Sequence, residues 1–276
     1  MNPEKYVHKM FYNRMGYHLN LDVPTTYSEK LQWLKLYWHN PLLTTLVDKY
    51  AVKDYVAKQI GERYIIPTIG VWDNVSEIDW DALPNQFVLK CTHDSGGLVI
   101  CTDKSKLNKK AAKRKLQKSL SHNYYYYGFE WPYKNVKPRI IAETYLHDSK
   151  SDDLADYKFF CFNGVVKAMF VATERNRKDE EVKFDFYDAD FNHLPFTQGH
   201  PNSRRIVEKN SCFEKMKELA SELSKDLPHA RVDFYEINGK IYFGEMTFFH
   251  HGGWTKFEPK EWDYTFGEWL SLPNRI

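Results

Sequence analysis

Residues 231–254 read RVDFYEINGKIYFGEMTFFHHGGW, two aromatic-rich runs joined by Asn238-Gly239. Asn-Gly between apolar runs is a strong short-range hairpin signal. Yet Arg231, Asp233 and Glu245 stand among residues that favour burial. Strand side chains alternate between faces, so parity decides which of these groups meet. A two-residue type I′ turn pairs Ile237 with Lys240 and sets Asp233 against Gly244, which puts Asp233 and Glu245 on opposite faces. A three-residue loop with Gly239 left-handed at a bulge shifts the pairing by one, and Arg231, Asp233, Glu245 and Thr247 then share one face. Two carboxylates on one face repel unless a cation lies between them, and hard oxygen ligands of this kind suit Mg²⁺ with bound phosphates. The competing reading sends both acids to solvent or pairs them with Lys and Arg.

Upstream, FVLKC (87–91) and LVICT (98–102) are short β-type runs separated by THDSGG. Backbone N–H groups of such a loop can wrap anionic oxygens while Lys90 supplies a point charge. The loop is not a Walker A motif, because Lys90 precedes the glycines and no helix follows directly; as a lone Gly-rich turn it reads equally as a plain hairpin. RIIAETYL (139–146) carries Glu143 near the end of an apolar strand, and DYKFFCFNG (156–164) carries Asp156 and Lys158 in another. A strand lysine taken alone snorkels or sits at an edge.

The rest of the pattern predicts helices over Pro3–Met15, from the Thr26/Glu29 capping box to Trp38, and from Leu43 to Ile60, ended by Gly61. A strand is expected over Tyr64–Trp72, a basic helix over Ser105–Asn123, strands near 139–146, 156–162, 165–172 and 183–187, and a helix over Ser211–Ser224. Helices and strands mix without regular alternation, so the class is α+β. The chain of 276 residues can hold a large core, and its 16% aromatic content excludes disorder.

Charge is balanced, 39 Lys+Arg against 37 Asp+Glu, which argues against a polyanion-binding protein as a whole. The basic run KSKLNKKAAKRKLQK (104–118) reads as the solvated face of a helix rather than a nucleic-acid stripe, since no aromatics interleave; attraction to an anionic membrane surface is a lesser reading. Four cysteines are widely spaced and form no metal or redox motif, so buried free thiols are expected. With no signal-peptide pattern and no apolar run of membrane-spanning length, the expectation is a cytoplasmic protein without stable membrane insertion.

Taken in order, the strand lysine with its Gly loop, the strand glutamate, the second strand lysine and the C-terminal Arg-x-Asp and Glu resemble the ATP-grasp superfamily. More closely, the chain resembles the TupA-like ATP-grasp family found with bacterial surface-polysaccharide genes. The likeness runs from about Tyr6 onward through DKYAVKDYV, LPNQFVLKCTHDSGG, KPRIIAETYL, DYKFFCFNG, ARVDFY and GKIYFGEMTFF. It implies an ATP-grasp fold, with a helical region over 1–84, a lid subdomain over 85–142 and a central subdomain with the metal site over 143–276. It implies ATP and Mg²⁺ as cofactors, ATP being held between the two subdomains. Lys90 and Lys158 would then contact phosphate, and His93, Asp94, Ser95, Gly96 and Gly97 form the lid. Glu143 would open the hinge whose backbone receives adenine. Asp233, Glu245 and Thr247 would hold metal, and Arg231 would steady the transferred phosphoryl group. The superfamily usually places Asn where this chain has Thr247.

The implied activity is ATP-dependent ligation of a carboxylate to an amine through an acylphosphate, with a uronic acid of a surface polysaccharide or its precursor as the carboxylate. Arg175 and Arg177 could receive that carboxylate, and His250 and His251 could touch the acceptor; an exposed basic loop and a turn of stacked rings are the alternatives. Two other functions are weighed: a glycosyltransferase, for which DAD (188–190) matches the letters of a metal motif, and a nucleotide-binding module without turnover. Neither co-substrate nor the oligomeric state is legible.

Overall fold

The computed structural model describes residues 2–148, 155–174, 181–204 and 207–276. The chain opens with α1 (Pro3–Met15), capped by the Asn2 side chain, and α2 (Tyr27–Tyr37). The Thr26/Glu29 capping box forms: Thr26 Oγ1 accepts from Glu29 N at 3.1 Å, and Glu29 accepts from Thr26 N at 3.1 Å.

Two helices then replace the single one expected over 43–60: α3 (Leu42–Val47) and α4 (Val52–Ile60). Asp48 is the reason. It adopts extended φ/ψ, its side chain accepts from Tyr50 N at 2.9 Å, and its other oxygen pairs with Arg139 at 2.7 Å. A side chain that bonds the backbone two residues on stops one helix and starts the next. The strand expected from Tyr64 begins later, as β1 (Thr68–Trp72), after a 3-10 turn at 62–64. β2 (Phe87–Cys91), β3 (Leu98–Cys101), α5 (Lys109–Leu120), the short α6 (Tyr125–Gly128) and β4 (Ile140–Thr144) follow.

The remainder comprises β5 (Asp156–Phe162), β6 (Val165–Thr173), β7 (Lys183–Asp188), β8 (Thr197–Gln198), α7 (Phe213–Ser224), β9 (Ala230–Ile237), β10 (Lys240–Thr247), β11 (Phe257–Glu258) and α8 (Glu261–Trp269). Sequence patterning missed α8, whose glycine and four aromatics mask its helical period.

Packing divides the chain into a unit of residues 1–39 with 147–276 and a unit of residues 40–146. This differs from the expected boundaries at 84 and 142. β1 joins the sheet β1-β4-β2-β3 and takes residues 40–84 with it, whereas α2 packs on α8 and carries the N-terminus to the other unit.

Each unit is built on one main antiparallel sheet, in line with the α+β class, and β8 and β11 pair as a further two-stranded sheet in the larger unit. In the middle unit Phe87, Leu89, Cys91, Val99, Ile140 and Ala142 point to one face and pack against Leu116 and Ala112 of α5. Burying each large apolar side chain there contributes roughly 1.5–3 kcal/mol. The opposite face carries Lys90 and Glu143. In the larger unit the sheet order is β10-β9-β5-β6-β7. Phe159, Val232 and Phe234 are buried on one face, with α7 packed against this sheet and Phe159 lying 5.9 Å from Phe213 of that helix. The other face holds Lys158, Phe160, Phe170, Arg231 and Asp233. The four cysteines are free thiols, with Cys91, Cys101 and Cys161 buried in strands.

Candidate functional site

The β9–β10 hairpin has a strict two-residue turn, not the three-residue loop that common-face placement was expected to need. Lys240 pairs with Ile237, and Asn238 and Gly239 both take positive φ, 52° and 80°. The expected consequence nevertheless holds, because the extra residue sits elsewhere. The register slips between Phe243 and Glu245, so Glu245 lies opposite Asp233 and Thr247 opposite Arg231. Gly244 is the bulge residue, and a Cβ there would stand 3.1 Å from the Asp233 carbonyl and 3.2 Å from the Tyr235 ring. A signal existed in the sequence. Buried Ile241 and Phe243 are followed by buried Met246, so apolar alternation changes parity across Gly244.

Arg231 is the centre of this face. Its Nε and Nη2 donate to the two Asp233 oxygens at 2.7 Å each, a bidentate pair. Nη2 also donates to Glu245 Oε1 at 3.1 Å and meets Thr247 Oγ1 at 3.0 Å. Lys158, in register opposite Asp233, contacts Asp233 Oδ2 and Asp156 Oδ2, the latter at 2.6 Å. Asp156, Asp233 and Arg231 are all buried. Burial raises the Asp233 pKa, but Arg231 first and Lys158 second outweigh it and hold the carboxyl below its ordinary value. Burial likewise lowers the Arg231 pKa, and Asp233, followed by Glu245 and Asp156, reverses the sign and holds it above normal.

His250 completes the set. Its Nδ1 accepts from Arg231 Nη1 at 2.8 Å, and its ring lies 5.1 Å from Phe160 and 5.4 Å from Phe170. Burial pushes its pKa well below normal, with His251 and Arg231 adding to the shift, so the imidazole stays neutral and its Nε2 carries the proton. His251 packs 4.1 Å from the His250 ring and takes positive φ of 49°. The turn itself is held by α2, where buried Lys35 donates to the Gly252 carbonyl at 2.9 Å and lies 3.9 Å from the Trp254 ring. Sequence reading left open whether these histidines touch a substrate or form a turn of packed rings; they form such a turn, and one of them holds Arg231.

In the middle unit, Glu143 is a ladder residue of β4, opposite Thr68 and Val88, and its carboxylate bridges two lysines. Lys53 stands 2.5 Å and Lys90 2.6 Å from its oxygens. Lys53 also donates to the Ile66 carbonyl at 2.7 Å and to Thr68 Oγ1 at 2.9 Å. Burial raises the Glu143 pKa, and Lys90 and then Lys53 overcome it to leave the group ionised. Lys53 was not singled out in sequence, because one lysine on an amphipathic helix gives no signal of the partner it reaches.

Residues 93–97 are only partly available to a ligand. His93 is buried, with Nε2 3.0 Å from the His122 carbonyl. Asp94 accepts from Gly97 N at 3.2 Å and from Ser119. Gly97 is buried against Cys91 and Ser119, leaving Ser95 and Gly96 exposed at the tip. Arg175 and Arg177 lie outside the described residues. Asp188 of the DAD run holds a turn, its Oδ1 accepting from Asp190 N at 2.9 Å and Asn192 N at 2.8 Å.

The two clusters carry opposite charge. Glu143 stands between two lysines, a net cationic patch, whereas Arg231 and Lys158 face three carboxylates, Asp156, Asp233 and Glu245. Three hard oxygens, from Asp233, Glu245 and Thr247, converge within 2.7–3.1 Å of one point, now held by the Arg231 Nη2 atom. The Glu245 side chain is 44% exposed, which leaves it free to turn toward a ligand. This donor set fits Mg²⁺, which takes one or two carboxylates and draws its other ligands from water and phosphate. No group of three or more His, Cys, Asp or Glu suited to a metal ion occurs among the described residues.

No curated protein is significantly similar to this chain. Among solved structures it is similar to the ATP-grasp ligase PsnB complexed with a minimal precursor, at 9% identity and TM-score 0.45 over 76% of this chain and 55% of that one. It is also similar to D-alanine–D-alanine ligase from Bacillus anthracis complexed with ATP, at 14% identity and TM-score 0.46 over 90% and 82%. The corresponding ligase from Helicobacter pylori shows 18% identity and TM-score 0.42 over 83% and 61%. The chain thus spans little more than half the length of PsnB. The TupA-like ATP-grasp family model matches residues 29–271, which include both clusters, and the chain belongs to that family.

Proposed function

We propose that this chain is an ATP-dependent carboxylate–amine ligase. The observation that carries this reading is the buried face of β9, β10 and β5, where Arg231, Lys158, Asp156, Asp233 and Glu245 are assembled with one carboxylate in excess. A fold gains no stability from such a surplus, whereas a site for a cationic ligand needs it. When bound, Mg·ATP supplies the phosphoryl group and the charge that draws the surplus carboxylate.

The residues take the following roles in the proposal. Lys90, held by Glu143, and Lys158 bind phosphate oxygens. Asp233, Glu245 and Thr247 hold the metal, and Arg231 neutralises charge on the phosphoryl group in flight. Ser95 and Gly96, the exposed tip of the β2–β3 loop, close over the phosphates and exclude water. Backbone just beyond Glu143 receives adenine. The carboxylate oxygen of the donor attacks the terminal phosphorus and ADP leaves; an amine then attacks the acyl carbon, phosphate leaves, and an amide remains. The donor is a uronic acid of a surface polysaccharide or its precursor, and the amine belongs to an amino acid or simple amine. Its setting is the cytoplasm, where ATP is supplied.

The test is a screen of uronic acids with amines for Mg²⁺-dependent ADP release, with the product mass identified. Amide product with one ADP per bond supports the ligase. UDP release from a nucleotide sugar would favour glycosyl transfer, and tight ATP binding without ADP formation a non-catalytic module. Asp188, whose Oδ1 is spent on a turn, weighs against the glycosyltransferase.

A further inference from the structure

From Lys104 to Phe129 the chain carries seven lysines, one arginine and no carboxylate, so the remainder is net acidic. The structure shows what that segment presents. α5 turns Ala112 and Leu116 into the core of its own unit, and the opposite side displays Lys110, Lys113, Arg114 and Lys118, all exposed. Among the described residues none of these four has a carboxylate partner; Lys109, at the flank, pairs with Asp81. A charge run that only solubilises a helix is usually laced with opposite charges at i,i+4, and this one has none.

Aromatic residues adjoin the cationic stripe. His122 caps the last turn of α5, with Nδ1 2.5 Å from the Lys118 carbonyl, and its ring lies 6.4 Å from Tyr127. Tyr127 and Tyr126 are 63% and 66% exposed, among the most exposed large aromatics of the chain. Each packs on a neighbouring ring: Tyr127 lies 5.6 Å from Tyr124, Tyr126 packs edge-on against Tyr125 at 5.1 Å, and Tyr125 against Phe129 at 5.1 Å. Tyrosine with cations alongside is the composition that settles at the headgroup level of a bilayer, with the ring in the boundary and the hydroxyl wet. Both tyrosines follow the stripe in α6 rather than falling between its charges, which suits a planar surface better than stacking on successive bases.

We infer that the α5–α6 face docks this protein peripherally on an anionic phospholipid surface, with Lys110, Lys113, Arg114 and Lys118 against the headgroups and Tyr126 and Tyr127 at the boundary. No described helix is long and apolar enough to cross a membrane, and the apolar side of α5 is already spent on the core, so attachment is electrostatic and reversible.

The test is co-sedimentation of the full chain with vesicles of phosphatidylcholine alone or mixed with phosphatidylglycerol. Binding is expected only to the mixed vesicles, and it weakens as salt rises. The triple variant Lys110→Glu, Arg114→Glu, Lys118→Glu should lower binding by about tenfold or more. Tyr126→Ser with Tyr127→Ser should lower it a few-fold and make what remains more salt-sensitive. All five positions are exposed, and circular dichroism with a melting curve checks that the variants fold. Failure to sediment with phosphatidylglycerol, an unchanged triple variant, or capture by soluble polyglucuronate or DNA in preference to vesicles would overturn the inference.

Discussion

The two charged clusters are built from the same residue types on the same kind of antiparallel sheet, yet they solve opposite problems. Around Glu143 one carboxylate is shared by two lysines, and Lys90 remains 23% exposed, able to meet an anion. Around Arg231 two cations are outnumbered by three carboxylates, and the groups are nearly dry except for Glu245. β4 and β9 are both interior strands, so the difference lies in what the neighbours supply: Glu143 meets lysines from α4 and β2, whereas Arg231 meets carboxylates from β9 and β10.

Removing a charge tests that contrast most harshly. Arg231→Met strands Asp233, in the dry interior, with Lys158 alone; loss of about 3–5 kcal/mol in a denaturant titration is expected, together with loss of turnover. Lys53→Met leaves Glu143 its Lys90 partner and should cost only about 1–3 kcal/mol. Equal losses in the two variants would erase the distinction between the clusters.

Acid titration separates the units as well. Burial holds His229 at about 3 and His251 at about 4, and it carries His250 well below its ordinary range. Unfolded histidines protonate near pH ~6.5, so between there and about pH 4 the unfolded chain binds more protons and stability falls as pH falls. Asp263, raised by burial to about 6, opposes this by taking its proton in the folded state first. Each proton of difference is worth roughly 1.4 kcal/mol per pH unit. All four groups lie in the larger unit, so its melting should shift with acid while signals from Trp72 and Trp80 of the other unit report a smaller change.

A subtler probe is Gly244→Val. The new side chain meets the Asp233 carbonyl and the Tyr235 ring, and the bulge must open. About 1–3 kcal/mol of stability is expected to go, with a larger proportional loss of activity as Glu245 leaves its place opposite Asp233. Smallest of all, Thr247→Val removes one hydrogen bond to Arg231 and should cost about 0.5–1.5 kcal/mol.

Much of this was legible before any coordinates. The α+β class and the strands carrying Lys90, Glu143 and Lys158 follow from period, and the common face of Arg231, Asp233, Glu245 and Thr247 was one of two readings of parity, tied to a three-residue turn that does not form. The cause of that common face did not follow. Asn-Gly announced a turn, and the bulge was sought there, while Gly244 looked like an ordinary strand glycine. Lys53 and His250 were illegible as partners for another reason: their contacts span 90 and 19 residues of sequence, and only tertiary packing brings such groups together. Asp48, hidden inside an apolar helical period, broke a helix through a local side-chain bond that periodicity does not register.

The most direct measurement is Mg²⁺-dependent ADP formation by Asp233→Asn and Glu245→Gln, each alongside Mn²⁺ binding in the presence of ATP. The account predicts that both variants fold, lose metal affinity and fall by about a hundredfold or more in turnover. Full turnover with unchanged Mn²⁺ affinity in both would contradict it, and the hairpin carboxylates would then be no more than partners for Arg231.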